Sequence, residues 1–521
     1  MLPVLSKSSI IKKTIQIGSS TLISRFLGII REYLTARYLG AGIVSDAFIT
    51  AFQIPNLFRK IFAEGALSAA FTPPFISTLR ENKEKAFKLM SLAFILFEGA
   101  VLLLCAFVIL IAPWIIGLFA PGFSAEKAAL TVALLRILIP FIFFISSSAL
   151  LAGALQAVGH FFVPAFGPIL LNIVYIFGLI ICMVFGLPVK YVCFFILFGG
   201  LLQFLQHLFA YFSLGFSFGL IDQKTWESFK TIIFNFLMCA LGMSVMEISL
   251  IVDIRFASQL LDGTPTLIYY ANRFMGIPLG VFAVAFSSIL LPHFSHISRY
   301  APKRLNFYLL ESAKLVFFVT IPCMLSLLFF SQKIFSTLFL GRTFSADQVQ
   351  QAGYILFAFS IGLFFFSLNK ILLNIFYALR NTLAPSIIGI IATLANIGFN
   401  AAFITHLKGP GLALATTISG ILQTIMMVWV LRQWYNYHSY INKFGIFVLR
   451  YTLQLTLFCG VFLIVYFNIV AFLSYYEATS VGNFFLNAIG FWIWTAPLCI
   501  ITVFLIYLWR NFFGVQLYFL D

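Results

Sequence analysis

The sequence predicts an all-α polytopic membrane protein with about fourteen transmembrane helices. Three observations carry that reading. The chain is 62% hydrophobic and only 9% charged, whereas a soluble domain carries roughly 25% charged residues. Apolar stretches of about twenty residues, the length a membrane-crossing helix needs, recur along its whole length. Lysine and arginine in the connecting segments alternate between rich and poor, as they do when loops lie on opposite sides of a bilayer. A β-barrel would instead read as alternating segments of about ten residues, and that pattern is missing.

Breaks at glycine, proline and charged clusters predict helices over 11–38, 43–72, 86–118, 126–157, 162–187, 190–218, 230–260, 266–296, 308–338, 347–378, 384–406, 410–435, 446–473 and 484–510. Lys7, Lys12, Lys13, Arg80, Lys83, Lys85, Lys224, Lys230, Arg299, Lys303, Arg304, Arg380, Arg432, Lys443 and Arg510 fall on one side. The other side has Lys127, Lys190, Lys333, Arg342 and Lys408, and its tight connections "GAGIVSD", "LDGTPT" and "YYEATSVGN" hold no basic residue. The positive-inside rule therefore puts both termini in the cytoplasm.

The chain repeats itself at an offset of about 221 residues. "LQAVGHFFVPAF" (155–166) aligns with "FYALRNTLAPSI" (376–387), "FQIP" (52–55) with "MGIP" (275–278), and "SAAFTPPF" (68–75) with "SSILLPHF" (287–294). The offset spans six helices, an even number, so both copies have the same membrane orientation. That is the parallel-repeat plan of a two-lobed transporter. The predicted organisation is a first lobe over 1–220, a second, pseudo-twofold-related lobe over 221–438, and a terminal helix pair over 439–521.

Several function classes drop out. No polar stretch exceeds about twenty residues, so a soluble catalytic domain has no room, and no acid cluster or His/Arg/Ser constellation suggests a membrane-embedded enzyme. The net charge of +16 is scattered through short loops, which fits membrane topology and not a nucleic-acid surface. The seven cysteines lie in apolar stretches without a CxxC, which argues against disulfides and thiolate metal sites. His293 and His296 have metal-like spacing but no nearby carboxylate. No metal site or cofactor is expected.

The informative residues are the charges inside predicted spans, each costing roughly 2.5 to 3.5 kcal/mol even on the forgiving insertion scale. The cations are Arg25, Arg31, Arg59, Lys60, Arg136, Arg255, Arg273 and Lys370; the anions are Glu32, Glu64, Glu98, Glu247 and Asp253. Most lie on the first two helices of each lobe. Arg25, Gly28 and Glu32 share one helix face, while Arg31 lies roughly 120° round from Arg25. Pro55 and Pro278 place proline hinges close to Arg59 and Arg273. Glu64, four residues after Lys60, either belongs to the cavity set or forms an i,i+4 pair. A cationic surplus calls for an anionic ligand, and arginine's planar fork suits a phosphate.

The segment 24–73, "SRFLGIIREYLTARYLGAGIVSDAFITAFQIPNLFRKIFAEGALSAAFTP", closely resembles the opening of the MurJ (MviN) lipid II flippase family. The resemblance continues through "APWIIGLFAPGF" (112–123), "VPAFGPILLNI" (163–173), "YYANRFMGIPLGVFAVAFSSILLP" (269–292) and "FYALRNTLAP" (376–385). That family belongs to the multidrug/oligosaccharidyl-lipid/polysaccharide exporter superfamily, with two six-helix lobes and a terminal pair forming a lipid-tail groove. The resemblance implies alternating-access transfer of lipid II (undecaprenyl-pyrophosphate-linked disaccharide pentapeptide) to the outer leaflet of a bacterial inner membrane, by a monomer. It implies that Arg25, Arg31, Asp46, Arg59 and Arg273 are cavity positions, the arginines engaging the headgroup. Arg25 is the stronger candidate for phosphate contact; Arg31 guides release or pairs with a carboxylate such as Asp46. The chain departs from the family pattern at Asn272 and Gly276, where acidic residues are usual. Asp253 is the candidate site for a coupling cation such as Na+, with membrane potential as a second drive. The alternative is a multidrug antiporter or polysaccharide exporter of the same superfamily. A cationic drug wants an acidic or aromatic cavity, against which the arginine surplus weighs.

Overall fold

A computed structural model of the chain describes residues 7–61, 67–300, 302–341, 343–379, 381–435 and 441–520. Those residues fold as helices with short connections, and no strand occurs among them. The chain divides into two compact units, Met1–Thr266 and Leu267–Asp521.

The first unit contains α1 (Lys7–Leu39), α2 (Ile43–Ile61), α3 (Leu67–Glu81), α4 (Lys83–Ala93), α5 (Gly99–Phe119), α6 (Ala125–Leu138), α7 (Phe141–Ala157), α8 (Phe162–Phe185), α9 (Lys190–Ser213) and α10 (Gln223–Ala257). A π-helical turn, Phe94–Glu98, joins α4 to α5, so the expected helix 86–118 is one long rod with a wider turn inside it. Side-chain oxygens set several helix starts. Asn82 Oδ1 accepts from Glu84 N–H at 2.7 Å, and Ser124 Oγ accepts from Lys127 N–H. Asp222 caps α10 through Thr225 N–H. The Thr225 hydroxyl and then Lys88 hold the exposed Asp222 carboxyl well below the usual carboxylate range. Gly186 ends α8 in the left-handed region, φ 61°, which an L side chain rarely adopts.

Two predicted helices are interrupted in this unit, as are 347–378 and 484–510 in the second. The second predicted helix, 43–72, appears as α2 and α3, with 62–66 outside the described residues; α3 continues through Pro73 and Pro74 to Glu81. The predicted helix 126–157 breaks at Pro140 into α6 and α7. The core is assembled from α3, α4, α7, α9 and α10, around Phe71, Phe75, Met90, Phe97, Tyr211 and Phe229. α10, which the repeat assigns to the second lobe, packs here against α2–α5.

The second unit takes up α11 (Thr264–Pro278) from Leu267 onward. It holds a π-helical segment at Leu279–Val284, α12 (Ala285–Tyr300), α13 (Pro302–Phe339), α14 (Ala346–Ser360), α15 (Leu363–Ala378), α16 (Leu383–Tyr435), α17 (Ile441–Ser474), α18 (Ser480–Asn487) and α19 (Phe491–Leu508). α16 is two helices in one run: Lys408 has φ 51° and ψ −130° at its middle, matching the break predicted between 406 and 410. The terminal helices fall within this unit. Phe447, Tyr451 and Leu455 of α17 pack with Phe318 of α13, Ile506 of α19, and Val515 and Leu517 beyond it.

Eight helices among the described residues are long and apolar enough to cross a membrane, or nine if the α14–α15 pair, bent by 44°, is one span. The charge-bearing α1, α2, α10 and α11 are not among them.

Candidate functional site

In the first unit, α1 carries Arg25 and Arg31 in different settings. Arg25 is exposed. Arg31 is half-buried, with Nη1 donating to Asn172 Oδ1 of α8 at 2.9 Å and Nη2 meeting Glu32 Oε1 at 2.6 Å. Its guanidinium also stands over the Tyr175 ring, 5.3 Å from the centroid. Asn172 Nδ2 donates to Ser24 O and Ser24 Oγ, so one amide clasps two turns of α1. The angular separation read from the sequence has this consequence: Arg25 faces outward while Arg31 is braced against α8. Of the two roles expected of Arg31, pairing with a carboxylate is seen, and the carboxylate is Glu32, with Asn172 beside it, while Asp46 is taken by Lys127.

Asp46, near the start of α2, is fully buried (0% exposed). One oxygen meets Lys127 Nζ of α6 at 2.5 Å and accepts from Gly263 N–H at 2.7 Å; the other accepts from Thr266 N–H and the Thr266 hydroxyl. Lys127, itself 2% exposed, also meets Asp262 at 2.9 Å and lies over the Phe123 ring. Asp46 therefore uses both oxygens on protein donors, pinning the Asp262–Thr266 segment to α2 and α6. It is a junction and not, in this conformation, an open ligand position. Sequence reasoning assigned Lys127 to a loop and missed its role. The available signal was a lysine two residues into a helix and an equally isolated aspartate, Asp46, ending the connection on the same predicted side of the membrane between the first two helices.

The remaining predicted residues are distributed as follows. Arg59 is half-buried, its Nε donating to Asn56 Oδ1 at 3.0 Å. Glu64 lies outside the described residues. Asp253 is half-buried on α10. In the second unit, Arg273 is exposed on α11; it donates to Tyr269 Oη at 2.9 Å and stands 5.1 Å from that ring's centroid. His293 and His296 pack on Tyr308 and Tyr300, and no cluster of three metal-ligating side chains occurs among the described residues.

Two cations leave the surplus inferred from the sequence. Arg136 Nε donates to Ile109 O at 3.1 Å. Ile109 lies four residues before Pro113 of α5, and proline has no N–H to offer that carbonyl. Arg255 Nη1 donates to Leu118 O at 2.7 Å, in the last turn of α5, where carbonyls lack helical partners. The second unit repeats the first device: Tyr451 Oη donates to Phe318 O at 2.6 Å, four residues before Pro322. These side chains supply the donor that a bilayer cannot.

An all-helical, multi-pass membrane protein with embedded arginines matches the transporter fold of the multidrug/oligosaccharidyl-lipid/polysaccharide superfamily. A multidrug transporter of the MATE family in an inward-facing conformation superposes with a TM-score of 0.65 at 16% identity, covering 77% of this chain and 93% of that one. Within that fold class the match narrows: the sequence model of the family described as "Lipid II flippase MurJ" fits residues 35–489, and the chain belongs to that family. It is 33% identical over 432 residues to a probable lipid II flippase MurJ of Rhizobium tropici, covering 80% of each. A Vibrio cholerae relative of the same description is 32% identical, with 82% of this chain and 84% of that protein covered. A solved lipid II flippase MurJ in an inward closed conformation matches with a TM-score of 0.76 at 27% identity, over 96% of this chain and 99% of that one.

Proposed function

We propose that this chain is a lipid II flippase of the bacterial inner membrane, moving the lipid-linked peptidoglycan precursor to the outer leaflet for cell-wall synthesis. The observation that carries this is the family match across 35–489, which takes in all the described embedded arginines except Arg25 and Arg31. Its activity is transport and not bond chemistry. Arg25 and Arg59 on the first unit, and Arg273 taken separately on the second, are the candidate ligands of the anionic headgroup. The exposure of Arg25 and Arg273 supports this, as does the fit of guanidinium groups to phosphate oxygens. Arg31 acts through α1 as a positioning residue, held by Asn172 and Glu32. Both termini lie in the cytoplasm, and a monomer suffices. Access alternates, and the Asp46–Lys127 junction is the fastening that must release in one direction. An inside-negative potential, worth about 2.3 kcal/mol per charge per 100 mV, favours outward movement of an anion. Asp253 is the candidate ligand for a coupling cation.

Reconstituted vesicles loaded with labelled lipid II test the assignment. Arg25→Ala, Arg59→Ala and Arg273→Ala should each slow flipping about tenfold to a hundredfold, the value of a charged hydrogen bond of about 1.5 to 3 kcal/mol. Wild-type rates in all three correctly inserted variants would overturn the headgroup site; an inactive wild-type protein would overturn the function. Asp253→Asn should abolish any dependence on the cation gradient, and an unchanged dependence would remove Asp253 from the mechanism.

A further inference from the structure

Glu98 closes the π-helical turn between α4 and α5 and is 2% exposed. Ser146 Oγ of α7 donates to its Oε1 at 2.8 Å. Its Oε2 is buried without a hydrogen-bond partner, and so is the hydroxyl of Ser147. The neighbouring side chain, Phe97, is edge-on to Phe229 and Phe236 of α10. This is a carboxyl in apolar surroundings, and the transport scheme above does not use it.

The groups that could compensate a charge here are few. The turn packs against α4, α5 and α7. α7 carries no titratable residue, and α5 carries only Cys105, whose thiol is engaged with Ile139 O. On α4, Lys83, Glu84, Lys85 and Lys88 stand ten or more residues before Glu98, and Lys88 is paired with Asp222. On α10, the described charged side chains are Glu227 and Lys230 near its start and Asp253 and Arg255 near its end. Phe229 and Phe236 fill the stretch facing the turn. The Glu247 side chain lies outside the described residues. An ionised carboxylate with one neutral donor and a bare oxygen is a costly occupant of such a site, and a buried acid in that position neutralises instead. A metal cation fits poorly, because Ser146 turns its hydrogen toward Oε1, and only one further hydroxyl stands nearby.

We propose that Glu98 is a proton-binding site of the first unit. The carboxyl carries one proton in this conformation, and the proton passes to water only when the π-turn parts from α7. π-turns inside α-helices are frequent at functional positions. This one faces the segment of α7 that follows the Pro140 break, so the proton sits between two places where the rods are already interrupted. Loss of the proton leaves a carboxylate that needs more donors than Ser146, and hydration of the α5–α7 seam supplies them. The inference stands apart from the identity of the transported lipid.

Infrared spectroscopy of the purified full-length protein tests it without a transport assay. At neutral pH the wild type should show a protonated-carboxyl C=O stretch that Glu98→Gln lacks and that Ser146→Ala moves to higher frequency by removing its hydrogen bond. A band identical in wild type and Glu98→Gln, or loss of an ionised-carboxylate band in that variant, would overturn the proposal. If Glu98→Gln does not fold, Ser146→Ala decides alone, and an unshifted band overturns the assignment. Amide exchange across 94–98 and 141–157, corrected for the intrinsic pH dependence of exchange, should rise at alkaline pH in the wild type and stay level in Glu98→Gln. Equal responses would also refute it.

Discussion

The interiors of the two units solve the same problem with different chemistry. In the first, buried charge joins segments far apart in sequence: Asp46 meets Lys127, and Lys127 meets Asp262. In the second, the buried charge Glu311 pairs with Lys314 on its own helix and accepts from Tyr518 N–H. There it is neutral amides and hydroxyls that join helices already packed side by side. Asn374 Nδ2 donates to Ser287 Oγ at 2.7 Å, tying α15 to α12. Asn369 Nδ2 donates to Gly420 O at 3.0 Å and its Oδ1 accepts from the Thr424 hydroxyl at 2.8 Å, tying α15 to α16. An amide carries donor and acceptor together and can be satisfied by whatever backbone adjoins it. A carboxylate only accepts and an ammonium only donates, so each must find its complement wherever the fold brings it. Charge is the more specific fastening, and its loss on one side costs more.

The largest effect expected from that contrast is at Lys127. Lys127→Met leaves Asp46 buried with an uncompensated charge and should cost about 3 kcal/mol, read as a lower thermal transition in detergent. Adding Asp46→Asn should recover part of the loss, because it removes the uncompensated charge and keeps one oxygen for Thr266, although its NH2 then faces the Gly263 N–H. A single variant as mild as those of the second unit would erase the distinction between the two interiors.

Asn374→Ala should be smaller, about 1 kcal/mol, since polar contacts between membrane helices average near 0.6 kcal/mol in double-mutant cycles. A loss as large as that of Lys127→Met would show that the amide seams fasten as strongly as charge. The finest test concerns the proline-vacated carbonyls. Arg136→Ala and Tyr451→Phe should each cost about 1 kcal/mol. In Pro113→Ala and Pro322→Ala backgrounds, respectively, that cost should fall below about 0.5 kcal/mol, because a helical N–H then occupies the carbonyl. Equal costs in both backgrounds would show that these side chains act through something other than the missing hydrogen bond.

Much of the architecture was legible because lipid leaves the backbone little choice. A polypeptide in hydrocarbon must satisfy its own N–H and C=O groups, so apolar runs become helices, and glycine, proline and charge mark their ends. The sequence placed helix limits within a few residues for most runs, including the break at Lys408. The segment from "SRFLGIIRE" to "FAEGALSAAFTP" pointed to the family that the whole-chain comparison then supplied. The arginines were also legible as unusual, since each is expensive where it stands.

What each charge touches was not legible. Arg25 and Arg31 are six residues apart on one helix, yet one is exposed and the other is clasped by Asn172, 141 residues further along the chain. Arg136 looked like part of a cationic cavity, but it serves a carbonyl that Pro113 cannot, on a different helix. The resemblance made Asp46 a cavity position, but in this conformation its oxygens are taken by Lys127, Gly263 and Thr266. Helix formation is a local matter between a residue and its four-residue neighbour, so sequence alone determined it. The partner of a buried charge is whatever the packing of remote helices delivers within about 3 Å, and that was decided only by the tertiary structure.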